Sequence, residues 1–150
     1  MKKILSIIAL GFAAALNALA QTAGSYTVGS LTGGTSTVAA SETLAIGSTF
    51  SVSEFSTVGI QITAAASTTN ATAVTFKFAH SLDGTNYETT PSSEIEFTPN
   101  GVTSVTKVSS INVPNTATLK LVSIVNPNAN GYVTNIAVKF RVKASKVLTR

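Results

Sequence analysis

The sequence predicts an all-β chain: a single antiparallel β-sandwich, of jelly-roll or immunoglobulin-like type, behind an N-terminal signal helix. Three observations predict it. Apolar residues recur with period two in a series of short segments, the pattern of strands with one face buried. Turn dipeptides and prolines fall between those segments rather than within them. The composition is also poor in what helices use. Only 11% of the 150 residues are charged, while Ser and Thr fill 41 positions and Asn another 10, a balance that favours strands and turns. Length allows one ordinary domain with a short appendage and excludes two full cores.

Residues 1–20 differ in kind from the rest. Lys2 and Lys3 precede an apolar run from Ile4 to Leu16, and Ala18-Leu19-Ala20 places small residues three and one positions before Gln21. This is the layout of a secretory signal peptide cut after Ala20. The run stops short of the ~20 apolar residues that span a bilayer, so no membrane span is expected after cleavage. Secretion follows as the expected route, to the extracellular space or the surface of a bacterial cell, with a virion as a further possibility.

Residues 21–41 are rich in Gly, Ser, Thr and Ala and are expected to form a flexible segment or a loose first strand near Tyr26–Leu31. The sandwich proper is expected over 42–145, with a basic tail at 146–150. Its rhythm begins at Thr43. Phe50 and Val52 alternate with Ser, and Val58, Ile60, Ile62 and Ala64 alternate with Thr57, Gly59, Gln61 and Thr63. Val74, Phe76, Phe78 and His80 repeat the pattern, and Ile95 and Phe97 mark a short strand whose other face carries Glu94 and Glu96. Val102–Val108 is the next predicted strand. Thr118–Val125 is apolar on both faces, which predicts a central position. Ile136, Val138, Phe140 and Val142 form the last strand. Asp83-Gly84, Asn100-Gly101 and Asn130-Gly131 are the intervening turn dipeptides. The predicted core comprises Phe50, Val52, Val58, Ile60, Ile62, Val74, Phe76, Phe78, Phe97, Leu119, Leu121, Ile136, Val138 and Phe140.

Charge and chemistry narrow the function. The chain has no Cys, no Trp and one His, which removes most catalytic and metal chemistry. Its formal charge of +4 is local: Lys139, Arg141, Lys143, Lys146 and Arg150 lie in the last 12 residues, and residues 21–138 carry three basic against six acidic groups. A nucleic-acid surface is therefore not expected, and no aromatic residues interleave with the basic ones. Lys139, Arg141 and Lys143 share the outward face of one strand. They are expected to guard a sheet edge, or to meet another subunit or an anion.

His80, Ser81 and Asp83 are the residue types of acyl transfer, but near-consecutive residues point to opposite faces, and His80 is expected to cap the rim of the core. Glu94 and Glu96 read as a solvated face rather than a glycosidase pair. Asp83, Asn86 and Glu88 surround a turn with hard oxygen ligands, but turn chemistry accounts for them equally well. Asn70-Ala71-Thr72 has the form of a glycosylation acceptor and is expected to be unused. No catalytic, cofactor or metal residue is assigned.

Two stretches carry a resemblance: Val52-Ser53-Glu54-Phe55-Ser56-Thr57-Val58-Gly59-Ile60-Gln61-Ile62, and Ala73-Val74-Thr75-Phe76-Lys77-Phe78-Ala79-His80-Ser81-Leu82-Asp83-Gly84-Thr85-Asn86-Tyr87. Together they resemble small β-sandwich proteins encoded by bacteriophages and bacterial surface loci. In those, a strand ending in Val-x-Ile-Gln precedes one that runs into Ser-x-Asp-Gly-x-x-aromatic, the aromatic usually being Trp where Tyr87 stands here. The resemblance implies a structural or adhesive sandwich, and the leader favours a bacterial surface or extracellular product over a virion.

These readings predict a non-enzymatic structural or assembly protein. It would be a subunit of an extracellular fibre, surface layer or virion that self-associates through strand edges into a homo-oligomer or polymer. The glycine-rich start at residues 22–41 is the expected exchanged segment. The alternative is a carbohydrate-binding or adhesive module, for which Tyr87 and Tyr132 are the candidate glycan contacts, provided both are exposed on one surface.

Overall fold

The computed structural model describes residues 26–30, 37–52, 55, 57–68 and 72–143, with 26–30, 142 and 143 described by their backbone alone. The signal helix and the basic tail at 146–150, like Asn70 and Ala71 of the acceptor sequence, lie outside these residues. The described residues form nine strands: β1 (Tyr26–Ser30), β2 (Thr37–Val38), β3 (Thr43–Ser51), β4 (Thr57–Ala66), β5 (Val74–Ser81), β6 (Ser93–Phe97), β7 (Val105–Asn112), β8 (Thr118–Val125) and β9 (Val133–Lys143). They make two antiparallel sheets. The first has the order β1-β9-β4-β7, with β2 also on β9, and the second the order β3-β8-β5-β6. The two are packed as a β-sandwich, and no helix occurs among the described residues.

Alternation puts the apolar sets where two sheets can cover each other. Val58, Ile60, Ile62 and Ala64 of β4 face Val74, Phe76 and Phe78 of β5 and Leu119, Leu121 and Ile124 of β8 in one buried cluster. β8 is central, as its apolar content on both faces predicts, paired with β3 on one side and β5 on the other. Every predicted core residue is buried except Phe140, which is half-buried and packs against the cluster.

Three bulges reconcile a period of two with apolar spacings that break it. Leu121 and Ile124 of β8 both face inward because the register against β5 slips between them. Val133 and Ile136 of β9 are likewise both buried, three residues apart, because the register against β4 slips there; Asn135 between them takes φ 53°. β3 slips between Ala45 and Ser48, where Gly47 takes φ 78°, a conformation that side chains with a Cβ rarely adopt.

Two expectations are corrected. The strand predicted at Val102–Val108 runs from Val105 to Asn112. Val102, Val105, Val108 and Ile111 recur every three residues, which leaves the phase undetermined. The Asn100-Gly101 turn takes up the first of them, with Gly101 donating to Thr68 O at 3.2 Å. The last strand is not an edge. β9 pairs with β4 along one side and with β1 and β2 along the other.

Candidate functional site

From β2 onward every connection except β5–β6 passes between the sheets, so the loops gather at two ends of the sandwich. One end holds the β3–β4, β5–β6 and β7–β8 connections, and the other holds β2–β3, β4–β5, β6–β7 and β8–β9. The chemistry-bearing residues collect at the first.

There the β5–β6 loop and the β7–β8 turn flank an open depression of about 690 Å³, lined among others by His80, Leu82, Tyr87, Glu88, Ser93 and Thr116. The His80 ring closes the inward row of β5. Its Nδ1 lies 3.1 Å from Thr116 Oγ1 and its Nε2 2.8 Å from Ser93 Oγ. Ser81 is turned away from that ring: its hydroxyl donates to Asp83 Oδ1 at 3.0 Å and accepts from Gly84 N at 2.9 Å. The predicted trio thus divides into two separate hydrogen-bond sets.

Asp83 organises the loop. Its Oδ1 also accepts from the backbone of Thr85 and Asn86, both at 2.8 Å, and its Oδ2 from the Asn86 amide at 2.7 Å. The Asn86 and Thr85 N–H groups, followed by the Asn86 amide and the Ser81 hydroxyl, hold its carboxyl well below the ordinary value of 3.8. Burial pushes the Glu88 carboxyl up. The His80 N–H, the Ser92 hydroxyl and the adjacent His80 charge outweigh that and leave it lowered. Glu88 reaches the His80 backbone at 3.1 Å and Ser92 Oγ at 2.8 Å. The oxygens of Asp83 and Glu88 are therefore committed to separate partners instead of converging on a common point, and no cluster able to hold a metal occurs among the described residues.

The glycan candidates are not brought together. Tyr87 is half-buried in the β5–β6 loop, with Lys120 Nζ 5.1 Å from its ring centroid and its hydroxyl donating to Gly84 O at 3.4 Å. Tyr132, 52% exposed, sits at the other end, where its N–H donates to Ser67 Oγ at 3.0 Å. The length of β8 separates the two ends, roughly 20 Å by strand rise. Glu94 is paired with Lys77 at 2.9 Å on the outer face of the second sheet.

The basic residues lie on a sheet face. Lys139 pairs in register with Gln61 and Arg141 with Gly59, both on the outer face of the first sheet and in the interior of its strand order. Lys143 pairs through its backbone with Tyr26. The edge-guarding role falls instead to Lys107, which the sequence reading missed. It shares a face with Ile62 of β4, whose side chain is in the core, and its ammonium donates to Glu96 O on β6 at 2.6 Å. The β6 edge of the second sheet is thereby capped from the first.

Asn126 was also missed. Fully buried after β8, it donates from its amide to Ala39 O at 2.8 Å and Gly131 O at 2.9 Å, and its Oδ1 accepts from Asn128 N at 3.1 Å. Its own N–H donates to Glu42 O, and Ser41 N to Asn128 O, each at 2.8 Å. Residues 39–42 are thus fixed to the β8–β9 loop, and Val38 is fully buried. Upstream, β1 lies along β9 from Tyr26↔Lys143 to Ser30↔Lys139 and forms the outermost strand of that side. Asn126-Pro127-Asn128 shows a turn in the sequence, but nothing local shows that its first amide would be buried among distant carbonyls.

No protein-family model and no curated protein matches the sequence. Among solved structures the chain is similar to "Family 16 Carbohydrate Binding Module-2", with 13% identity, 80% of this chain and 84% of that chain covered, and a TM-score of 0.43. It is also similar to PRD1 vertex protein P5 (14% identity, 82% and 96% covered, TM-score 0.41) and to a chain of infectious bursal disease virus strain Gx (10% identity, 83% and 34% covered, TM-score 0.49). At such identities and scores these likenesses carry no inference about what the chain does.

Proposed function

We propose that the chain is a secreted, non-enzymatic structural subunit that assembles by exchanging its first strand between copies, β1 of one adding to β9 of the next. The observation that carries this reading is the placement of β1: a short outermost strand whose pairing partner is β9, attached through 31–36 to a segment that Asn126 pins. Gly33 and Gly34 lie in that connection. Pairing in trans makes the same backbone hydrogen bonds as pairing in cis, so exchange costs mainly association entropy, which concentration offsets. Each copy both gives and receives a strand, and a transfer of this head-to-tail kind propagates unless it closes into a ring.

The polar cluster at the loop end supports the non-enzymatic part. His80 bonds hydroxyls through both ring nitrogens, Ser81 serves Asp83, and Glu88 serves the His80 backbone. These are the bonds of a braced loop. The low-charge Ser/Thr/Asn surface and the leader fit an extracellular product, and the resemblance to phage and bacterial surface sandwiches points the same way.

Val28→Pro in the full chain tests the proposal, because proline removes a backbone donor and resists strand pairing. Light scattering and electron microscopy of the secreted protein should show ordered multimers for the parent and loss of them for Val28→Pro, with the far-ultraviolet spectrum of the sandwich kept. Undiminished multimers in the variant would overturn it.

A further inference from the structure

The depression between the β5–β6 loop and the β7–β8 turn is negatively charged. Asp83 and Glu88 both line it, and no Lys or Arg does. The hydrogen bonds to each carboxyl favour its charged form. The lysines of the neighbouring strands are used elsewhere: Lys77 pairs with Glu94, Lys107 donates to Glu96 O, and Lys120 stands over the Tyr87 ring. On the same rim Leu82 is 77% exposed. The sequence delivers the matching chemistry to this end. β9 runs toward it, and Val142, Val58 and Ile111 form one row across β9, β4 and β7. Lys143 and Asn112 each follow by one residue in the same direction, two strand spacings or ~10 Å apart. Asn112 lines the depression. After Lys143 comes Ala144-Ser145-Lys146-Val147-Leu148-Thr149-Arg150, with two cations, an apolar pair and no acidic side chain. Seven extended residues reach ~23 Å, more than twice that gap.

We infer that residues 144–150 dock into the depression of their own chain, with Lys146 and Arg150 meeting the Asp83 and Glu88 carboxylates and Leu148 covering Leu82. Laid extended, a segment turns every second residue to one side, so Lys146, Leu148 and Arg150 face one surface at intervals of ~7 Å. A cation, an apolar side chain and a second cation then meet a rim that carries two carboxylates and an exposed leucine. The carboxylates keep their bonds within the loop and gain charge-assisted ones from outside it. The tether favours a chain's own tail over that of a second copy, because a short link holds the segment at roughly millimolar effective concentration. Docking fastens the outgoing end of β9, where Lys143 pairs with Tyr26 of β1. It goes beyond the proposed strand exchange and does not depend on it.

The chain has no native Cys, so an introduced disulfide can report the docking. The full chain carrying Leu82→Cys/Leu148→Cys should close an intramolecular disulfide under mild oxidation, read as a faster-running monomer band on a non-reducing gel. Ser51→Cys/Leu148→Cys is the control. Ser51 is exposed at the same end, on β3, which meets β9 through the Phe50–Phe140 stack. A tail without a docking site would therefore reach Ser51 at least as readily as Leu82. Docking should make closure at Leu82 faster than at Ser51 by on the order of tenfold, because it raises the local thiol concentration there. Adding Lys146→Glu/Arg150→Glu, or about 1 M NaCl, should bring the Leu82 rate down toward the control rate. Both charge reversals lie beyond β9 and leave the strands as they are. Closure at Ser51 as fast as at Leu82, a Leu82 rate indifferent to the charge reversals, or disulfides formed only between chains would each overturn the docking.

Discussion

The rings of Phe50 and Phe140 stack across the two sheets, centroids 4.1 Å apart and planes 14° from parallel. Phe50 belongs to β3 of the second sheet and Phe140 to β9 of the first, so the pair ties the outer strand of one sheet to the strand that receives β1 in the other. Phe140 also lies opposite Gly29 in the β1–β9 register. The stack therefore fixes the strand on which the proposed exchange takes place.

Phe50→Ala should cost about 3–5 kcal/mol in chemical denaturation, as expected for a buried aromatic side chain. Phe140→Ala should cost less, since Phe140 is only half-buried. The double variant should reveal a coupling of about 0.5–1.5 kcal/mol, the contribution of the ring pair beyond its buried area. Strict additivity would show that the rings are neighbours without interacting.

At the β9 bulge, Asn135 occupies the left-handed region at φ 53°, which Asn tolerates and a β-branched residue does not. Asn135→Val should lose roughly 1–2 kcal/mol of stability, while Asn135→Gly should stay near the parent. Equal effects in urea titration would mean that the side-chain contact to Ser104, at 3.4 Å, outweighs the backbone.

Asn126 should be the most sensitive polar position. Asn126→Ala leaves the Ala39 and Gly131 carbonyls without their donor, at about 1–3 kcal/mol for each group left unpaired. Asn126→Asp should be worse at neutral pH, because it sets a buried anion against two carbonyl oxygens. Thermal unfolding checks the order, and amide exchange at Val38 and Val133 should rise in both variants.

Acid should loosen the β5–β6 loop. The folded Asp83 carboxyl titrates below its ordinary value of 3.8 because the charged form is hydrogen-bonded. The stability it contributes is complete above that ordinary value and is lost as pH falls below it toward the folded one. The gap in urea midpoint between the parent and Asp83→Ala should therefore be largest near neutrality and shrink at about pH 2–3. A gap that is constant with pH would show that the charged carboxylate does not stabilise the loop.

How much of this was legible in the sequence depends on how local each signal is. The alternation in Val58–Ala64 and Val74–Phe78 is complete within each strand, so those strands and their buried faces could be read directly. The turn at Asp83-Gly84 was also readable, since Asx turns use neighbouring residues. The phase of β7 was hidden because its apolar residues recur every three positions, and the bulge at Asn135 because only the partner strand reveals the slip. Strand order is not written in periodicity at all, which is why Lys139 and Arg141 were expected at an edge and lie in an interior strand. Lys107 and Asn126 matter through contacts 11 and 87 residues away. No local pattern carries such information.

In the proposed exchange β1 leaves its own β9 for that of a neighbour, and a Ser30→Cys/Lys139→Cys double variant reports which β9 it pairs with. The two positions are register partners across β1 and β9, close enough for a disulfide, and the chain has no other Cys. Oxidised at the concentration where multimers form, the variant is predicted to run on a denaturing non-reducing gel as a ladder of covalently linked chains that collapses to one band on reduction. A single band at monomer mass, with the disulfide formed within each chain while multimers are present, would contradict the exchange.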